Sequence, residues 1–118
     1  MTIESMPPQR SEQTAVPVVA PYGDLDVENL EPLAARLRAA AAKSPVVVLD
    51  ASAVTFGDSS FLRVLIAASR LTELRIAAPQ PALRKLLELV GMDRLFDIHP
   101  TLESARSAPP RAGDLAQR

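Results

Sequence analysis

Val46-Val47-Val48-Leu49 is an unbroken run of β-branched and aliphatic side chains, bounded by Pro45 and Asp50. It is too short for a helix core and has the composition of a strand covered on both faces, the position that parallel strands occupy in α/β folds. Past Asp50, a connection carrying Ser52, Thr55 and Gly57 leads to Asp58-Ser59-Ser60. Phe61, Leu62, Val64, Leu65 and Ile66 then turn apolar at helical spacing. A buried strand thus feeds a helix N-terminus through a short polar loop. Such a terminus leaves up to about four backbone N–H groups without intrahelical partners and carries roughly half a positive charge, so it favours a carboxylate or a phosphate. Asp58 and Ser59 stand where those groups point.

The flanking sequence supplies covering helices. Residues 1–14 are polar, contain Pro7-Pro8 and lack periodicity, which predicts a flexible tail. Residues 16–20 are apolar but interrupted by Pro17 and followed by Pro21, which predicts an edge strand. Gly23-Asp24-Leu25-Asp26 reads as a turn, and Asn29 as the N-cap of a helix to about Ala42 with Pro32 in its first turn. Leu30, Leu33, Ala34, Leu37 and Ala41 form the inward stripe of that helix. After the central strand, the helix over residues 60–70 is apolar on most of its surface and is expected to be sandwiched. A strand over 74–78 and an amphipathic helix over 81–90 with Gly91 as its C-terminal cap come next. A short strand at 95–98 and a turn or two of helix capped by Thr101 complete the order. Strand, helix, strand alternation predicts an α/β domain over residues 15–107, with a parallel or mixed sheet of about four strands and helices mainly on one face. Residues 108–118 read as a second tail.

Composition removes several classes of function. The 118 residues suffice for one core. With no Cys and a single His, thiolate and zinc sites are not expected. Basic and acidic residues number 13 and 14, for a net charge of -1, and the basic ones are scattered, which argues against nucleic acid. No apolar run approaches the roughly 18 residues of a membrane span, and no signal-type segment opens the chain, so a cytoplasmic protein is expected. No phosphate-binding glycine motif is present, so no nucleotide cofactor is expected. Asp58, Ser59 and His99 do not make a convincing nucleophilic triad either. There is no G-x-S-x-G turn, and the one His follows the last strand.

Four segments, in order, resemble a STAS domain of the bacterial anti-sigma factor antagonist type. They are Gly23-Asp24-Leu25-Asp26 with its following helix, Val46–Asp50, Phe56-Gly57-Asp58-Ser59-Ser60, and residues 81–93 with Leu95-Phe96 behind. The resemblance implies a STAS-like sandwich. It also implies that Ser59, the Ser directly after the Asp of the motif, is phosphorylated by a partner anti-sigma factor that is itself a serine kinase, with a serine phosphatase reversing the step. By the same resemblance Asp24, Asp26, Gly57, Asp58, Ser59, Ser60, Phe61 and Leu62 form the partner-binding surface. The chain departs from the family pattern at Phe61, where Gly is usual, and at Gly57, where an apolar residue is usual. Its segment 65–74 is also shorter, and Pro17 and Pro21 interrupt its first strand.

On the residues alone Asp58 also reads as a plain N-cap, Asp24 and Asp26 as turn residues, and Phe61 as either core or exposed contact. Two functions follow: a binding protein gated by phosphorylation, or a non-switching STAS adaptor in a signalling complex or beside a membrane transporter. Phe61 separates them, because an exposed ring beside Ser59 would hinder a kinase and strengthen a static interface.

Overall fold

A computed structural model describes residues 16–109; both expected tails, apart from Ala108 and Pro109, lie outside that range. The central run forms β3 (Val46–Asp50), whose first four residues are buried. It pairs in parallel with edge strand β1 (Val18–Val19) on one side and with β5 (Glu73–Ala77) on the other, and β6 (Asp97–His99) closes the sheet beyond β5. The order β1-β3-β5-β6 therefore makes a four-stranded sheet in which every pairing is parallel rather than mixed. Pro17 and Pro21 flank β1 without breaking it, because an edge strand needs a partner on one side alone; the Val48 N–H donates to the Pro17 carbonyl at 3.0 Å.

Alternation along the strands splits the core. Val47, Leu49, Leu74 and Ile76 pack into one cluster with Leu33 and Leu37 of α1 (Glu31–Lys43), Phe61 and Leu65 of α2 (Ser59–Ser69), and Leu83 and Leu87 of α3 (Pro81–Leu89). Val48 and Ala77 face the other way, onto Ala105 of α4 (Leu102–Ser107). Among the described residues, three helices thus cover one face and one short helix the other. Arg75 of β5 fastens that short helix. Its guanidinium is 1% exposed, and it donates from Nη1 to the Ala105 carbonyl at 2.8 Å, from Nη2 to the Pro109 carbonyl at 2.9 Å and from Nε to Glu73 Oε2 at 3.1 Å. A buried charge persists where its donors are taken up in this way. Ala108 and Pro109, assigned to a tail from sequence, are held by these contacts and by an Ala108 N–H bond to the Ser104 carbonyl.

Several local expectations hold for the reasons given. Gly91 has φ 78°, the left-handed conformation that ends α3. Thr101 caps α4 through a reciprocal pair with Ser104. Others need correction. Gly23–Leu25 is not a turn but a strand, β2, and the connection after β3 contains β4 (Val54–Gly57); the two form a separate parallel ribbon. The turn comes after β2, over residues 26–29. Asn29 serves that turn rather than capping α1, whose N-cap position is Leu30, because its side chain is already committed. Its Oδ1 accepts from the Asp26 N–H at 2.9 Å and its Nδ2 donates to the Asp24 carbonyl at 2.8 Å. Nor is α2 sandwiched: Arg63 and Ala67 lie exposed on it, and Arg70 is exposed at its C-terminal end.

Candidate functional site

The small ribbon places the Asp58 loop. β4 ends at Gly57 and passes without a linker into Asp58, whose own N–H donates to the Leu25 carbonyl at the end of β2 (3.3 Å). The helix start is therefore tied to the neighbouring strand end. Asp58 has extended backbone, and its Oδ1 accepts from the N–H groups of Ser60 (2.9 Å) and Phe61 (3.1 Å), the two donors that an N-cap serves. The capping role and the motif are one arrangement. Ser59 occupies the first helical position, exposed, and its hydroxyl makes no hydrogen bond among the described residues. Ser60 is half-buried.

Asp24, on β2, and Asp26, at the start of the turn that follows it, stand beside this terminus. Asp24 Oδ1 accepts from Thr55 Oγ1 of β4 at 2.5 Å, and Asp26 Oδ1 accepts from the Glu28 N–H at 3.0 Å. Both act as turn and ribbon fasteners, and Asp24 is at the same time exposed. The structure brings Asp24, Asp26, Asp58, Ser59 and Ser60 together, with Leu62 partly buried behind them.

Phe61 and Gly57 are not surface. Phe61 is fully buried in the main core cluster, and Gly57 is buried directly against its ring. A Cβ at position 57 would lie 2.9 Å from Phe61 Cε2 and Cγ and closer still to Cδ2, a separation that real side chains do not adopt. The two positions fit each other: the ring that enters from position 61 fills the space a side chain at 57 would need. Neither residue offers contact area to a partner. The ring does not stand in the way of Ser59 either.

Three residues that sequence reasoning passed over join the site. Phe56 is 58% exposed on β4, opposite Asp24 in the ribbon. Val27 is 72% exposed in the turn. With Ser60, Arg63 and Val64 it lines a trough of about 230 Å³. An isolated apolar side chain in a polar turn was the available signal for Val27, and spacing of one helical turn from Ser59 was the signal for Arg63. Phe56 could be placed only by knowing that β4 is a strand. His99, placed after the last strand from sequence, is the final residue of β6 and half-buried, with Nε2 enclosed and without a hydrogen-bond partner among the described residues; it borders Arg84, Glu88, Asp93 and Asp97, a depression that includes neither Asp58 nor Ser59. Among the described residues no group of three His, Cys, Asp or Glu side chains is placed to hold a metal, and no helix is long and apolar enough to cross a membrane.

Residues 9–99 match a family model described as "Mlab, STAS domain". No curated protein sequence matches the chain. Among solved structures, an anti-sigma factor antagonist from Mycobacterium paratuberculosis is 34% identical with a TM-score of 0.67, over 75% of this chain and 80% of that one. The anti-sigma factor antagonist SpoIIAA, in its unphosphorylated form, is 22% identical with a TM-score of 0.63, over 75% and 82% of the two chains. The STAS domain of a SulP transporter from Vibrio cholerae has a TM-score of 0.64 at 16% identity, over 87% and 85%, a likeness of fold alone. The chain belongs to the STAS domain family, the family of the anti-sigma factor antagonists.

Proposed function

We propose that the chain is a cytoplasmic anti-sigma factor antagonist that binds an anti-sigma factor with serine kinase activity, and that phosphorylation of Ser59 gates this binding. The observation that carries the reading is the presentation of Ser59: exposed, at the first position of α2, its hydroxyl unengaged, on a helix start fixed by Asp58 and the Leu25 carbonyl. The 34% identity to an anti-sigma factor antagonist supports it. Asp24, Asp26, Asp58, Ser59 and Ser60 with the exposed Val27 and Phe56 form the docking face, apolar side chains to be buried and polar ones to ring them.

In this reading the protein does no chemistry of its own. The partner kinase transfers the γ-phosphoryl group of ATP to Ser59 Oγ. The new O–P bond forms as the bond between the γ-phosphorus and the β,γ-bridging oxygen breaks, ADP leaves, and the hydroxyl proton passes to a base of the kinase. A serine phosphatase restores the hydroxyl: water attacks the phosphorus, the bond from phosphorus to Ser59 Oγ breaks, inorganic phosphate leaves and Oγ takes up a proton. Phosphate adds about -1.5 to -2 charges at pH 7. Beside the Asp58 carboxylate, that charge opposes any partner presenting an acidic or apolar surface.

Incubation with anti-sigma kinases of the source organism and ATP, followed by intact-mass measurement, is the test. Wild type and Ser60→Ala are expected to gain one phosphate and Ser59→Ala none. Modification of Ser59→Ala, or none of wild type by any of these kinases, would leave the non-switching adaptor as the better description.

A further inference from the structure

At the start of α2 the positive end of the helix is already spent. The Ser60 and Phe61 N–H groups both go to Asp58 Oδ1, the Leu62 N–H goes to the Asp58 carbonyl, and the Asp58 N–H goes to the Leu25 carbonyl. Among the described residues, the N–H of Ser59 alone in this turn is left without a partner. A phosphate on Ser59 therefore finds a carboxylate beside it and almost no backbone donors. Its charge must be met by a side chain.

The cation in position is Arg63. It stands four residues after Ser59 on the same helix, about 6 Å along the axis, the spacing at which side chains on a helix surface meet. It lies exposed and makes no hydrogen bond or ion pair among the described residues. It borders the same trough as Ser60 and Val27. The other guanidinium along this seam, Arg38 of α1, is engaged with Glu31 at 3.4 Å. Glu31 also borders the trough, as the one acidic side chain from α1 that competes for Arg63 there.

We propose that Arg63 is the internal partner of the phosphate on Ser59, resting on the reading of Ser59 as the phosphoacceptor. Guanidinium and phosphate oxygens make charge-assisted, forked hydrogen bonds. Pairing draws Arg63 toward the helix start and away from Val64 and the α1–α2 seam. Modification then changes the docking face twice: it adds an anion at position 59, and it withdraws the cation from the adjoining rim. Arg63 is a positioning residue for the modified state; in the unmodified one it stays on the rim beside Val64.

The test needs no kinase. The full chain is made with phosphoserine incorporated at position 59 during translation, and the second ionisation of the phosphate is followed by phosphorus NMR at low ionic strength. Arg63→Gln is expected to raise the titration midpoint by roughly 0.3 pH or more, because the lost cation favoured the dianion. Arg63→Lys should recover part of the difference, Arg38→Gln should leave the midpoint in place, and about 1 M salt should erase the effect of Arg63. An unchanged midpoint in Arg63→Gln, or an equal rise in Arg38→Gln, overturns the pairing. The two ideas fail separately. A moved midpoint in a chain that no kinase phosphorylates keeps the pairing and removes the gating, and an unmoved midpoint in a chain whose phosphorylation weakens the partner does the reverse.

Discussion

Phe61→Ala is expected to destabilise the domain by about 3–5 kcal/mol, the usual cost of removing a buried aromatic ring. The ring is fully buried among Leu65, Val54 and the residues of the main core cluster, so little solvent-exposed slack exists to collapse into the space it leaves. Gly57 makes the effect diagnostic. It lacks a positive φ, so it is there for space and not for backbone freedom. A methyl group at 57 would be driven into the Phe61 ring. Gly57→Ala alone should therefore cost about 1–3 kcal/mol through overpacking. In a Phe61→Gly background the same change should cost far less, because the obstructing ring is gone. A double-mutant cycle in urea is expected to show coupling on the order of 1 kcal/mol or more between the two positions. Additive costs would mean that the ring and the glycine are not in contact.

Leu49→Ala should cost about 2–5 kcal/mol. Leu49 is fully buried on β3, which has a paired strand on each side and helices over the face to which Leu49 points. Net stability of a domain this size is about 5–15 kcal/mol, so the change removes a large share of it. The urea midpoint should fall with little change in slope, since the surface exposed on unfolding is nearly the same. An unchanged midpoint would show that β3 is not the centre of the core.

The parts of the fold that were legible from sequence are those where one residue type has one physical use. An unbroken Val and Leu run has few options besides a doubly covered strand, Gly91 fits a left-handed helix end, and Thr101 precedes a helix that it caps. β2 and β4 were not legible. Three or four residues that include Gly23, Asp24, Thr55 and Gly57 carry too little alternation to be told from a loop, and their pairing joins positions some thirty residues apart. That pairing is what makes Gly23–Leu25 a strand of a ribbon and not a turn, and sets Asp24 opposite Phe56. At the site, the Asp58 cap and the exposed Ser59 followed from the helix start itself. The inward course of Phe61 did not, because the third position of a helix turns toward core or solvent according to what lies beneath it. Here that is a glycine, which sequence spacing does not reveal.

The gated reading is tested most directly by the affinity of the chain for its anti-sigma partner with Ser59 unmodified and with Ser59 phosphorylated, measured by calorimetric titration at one salt concentration. Ser59→Asp serves as a second route to negative charge at the same residue, with thermal stability recorded alongside. Stability is expected to stay within about 1 kcal/mol of wild type, as surface changes usually do. Affinity is expected to fall at least tenfold, about 1.4 kcal/mol, in the phosphorylated chain and in the same direction for Ser59→Asp. Equal affinity of the phosphorylated and unmodified chains would contradict the account.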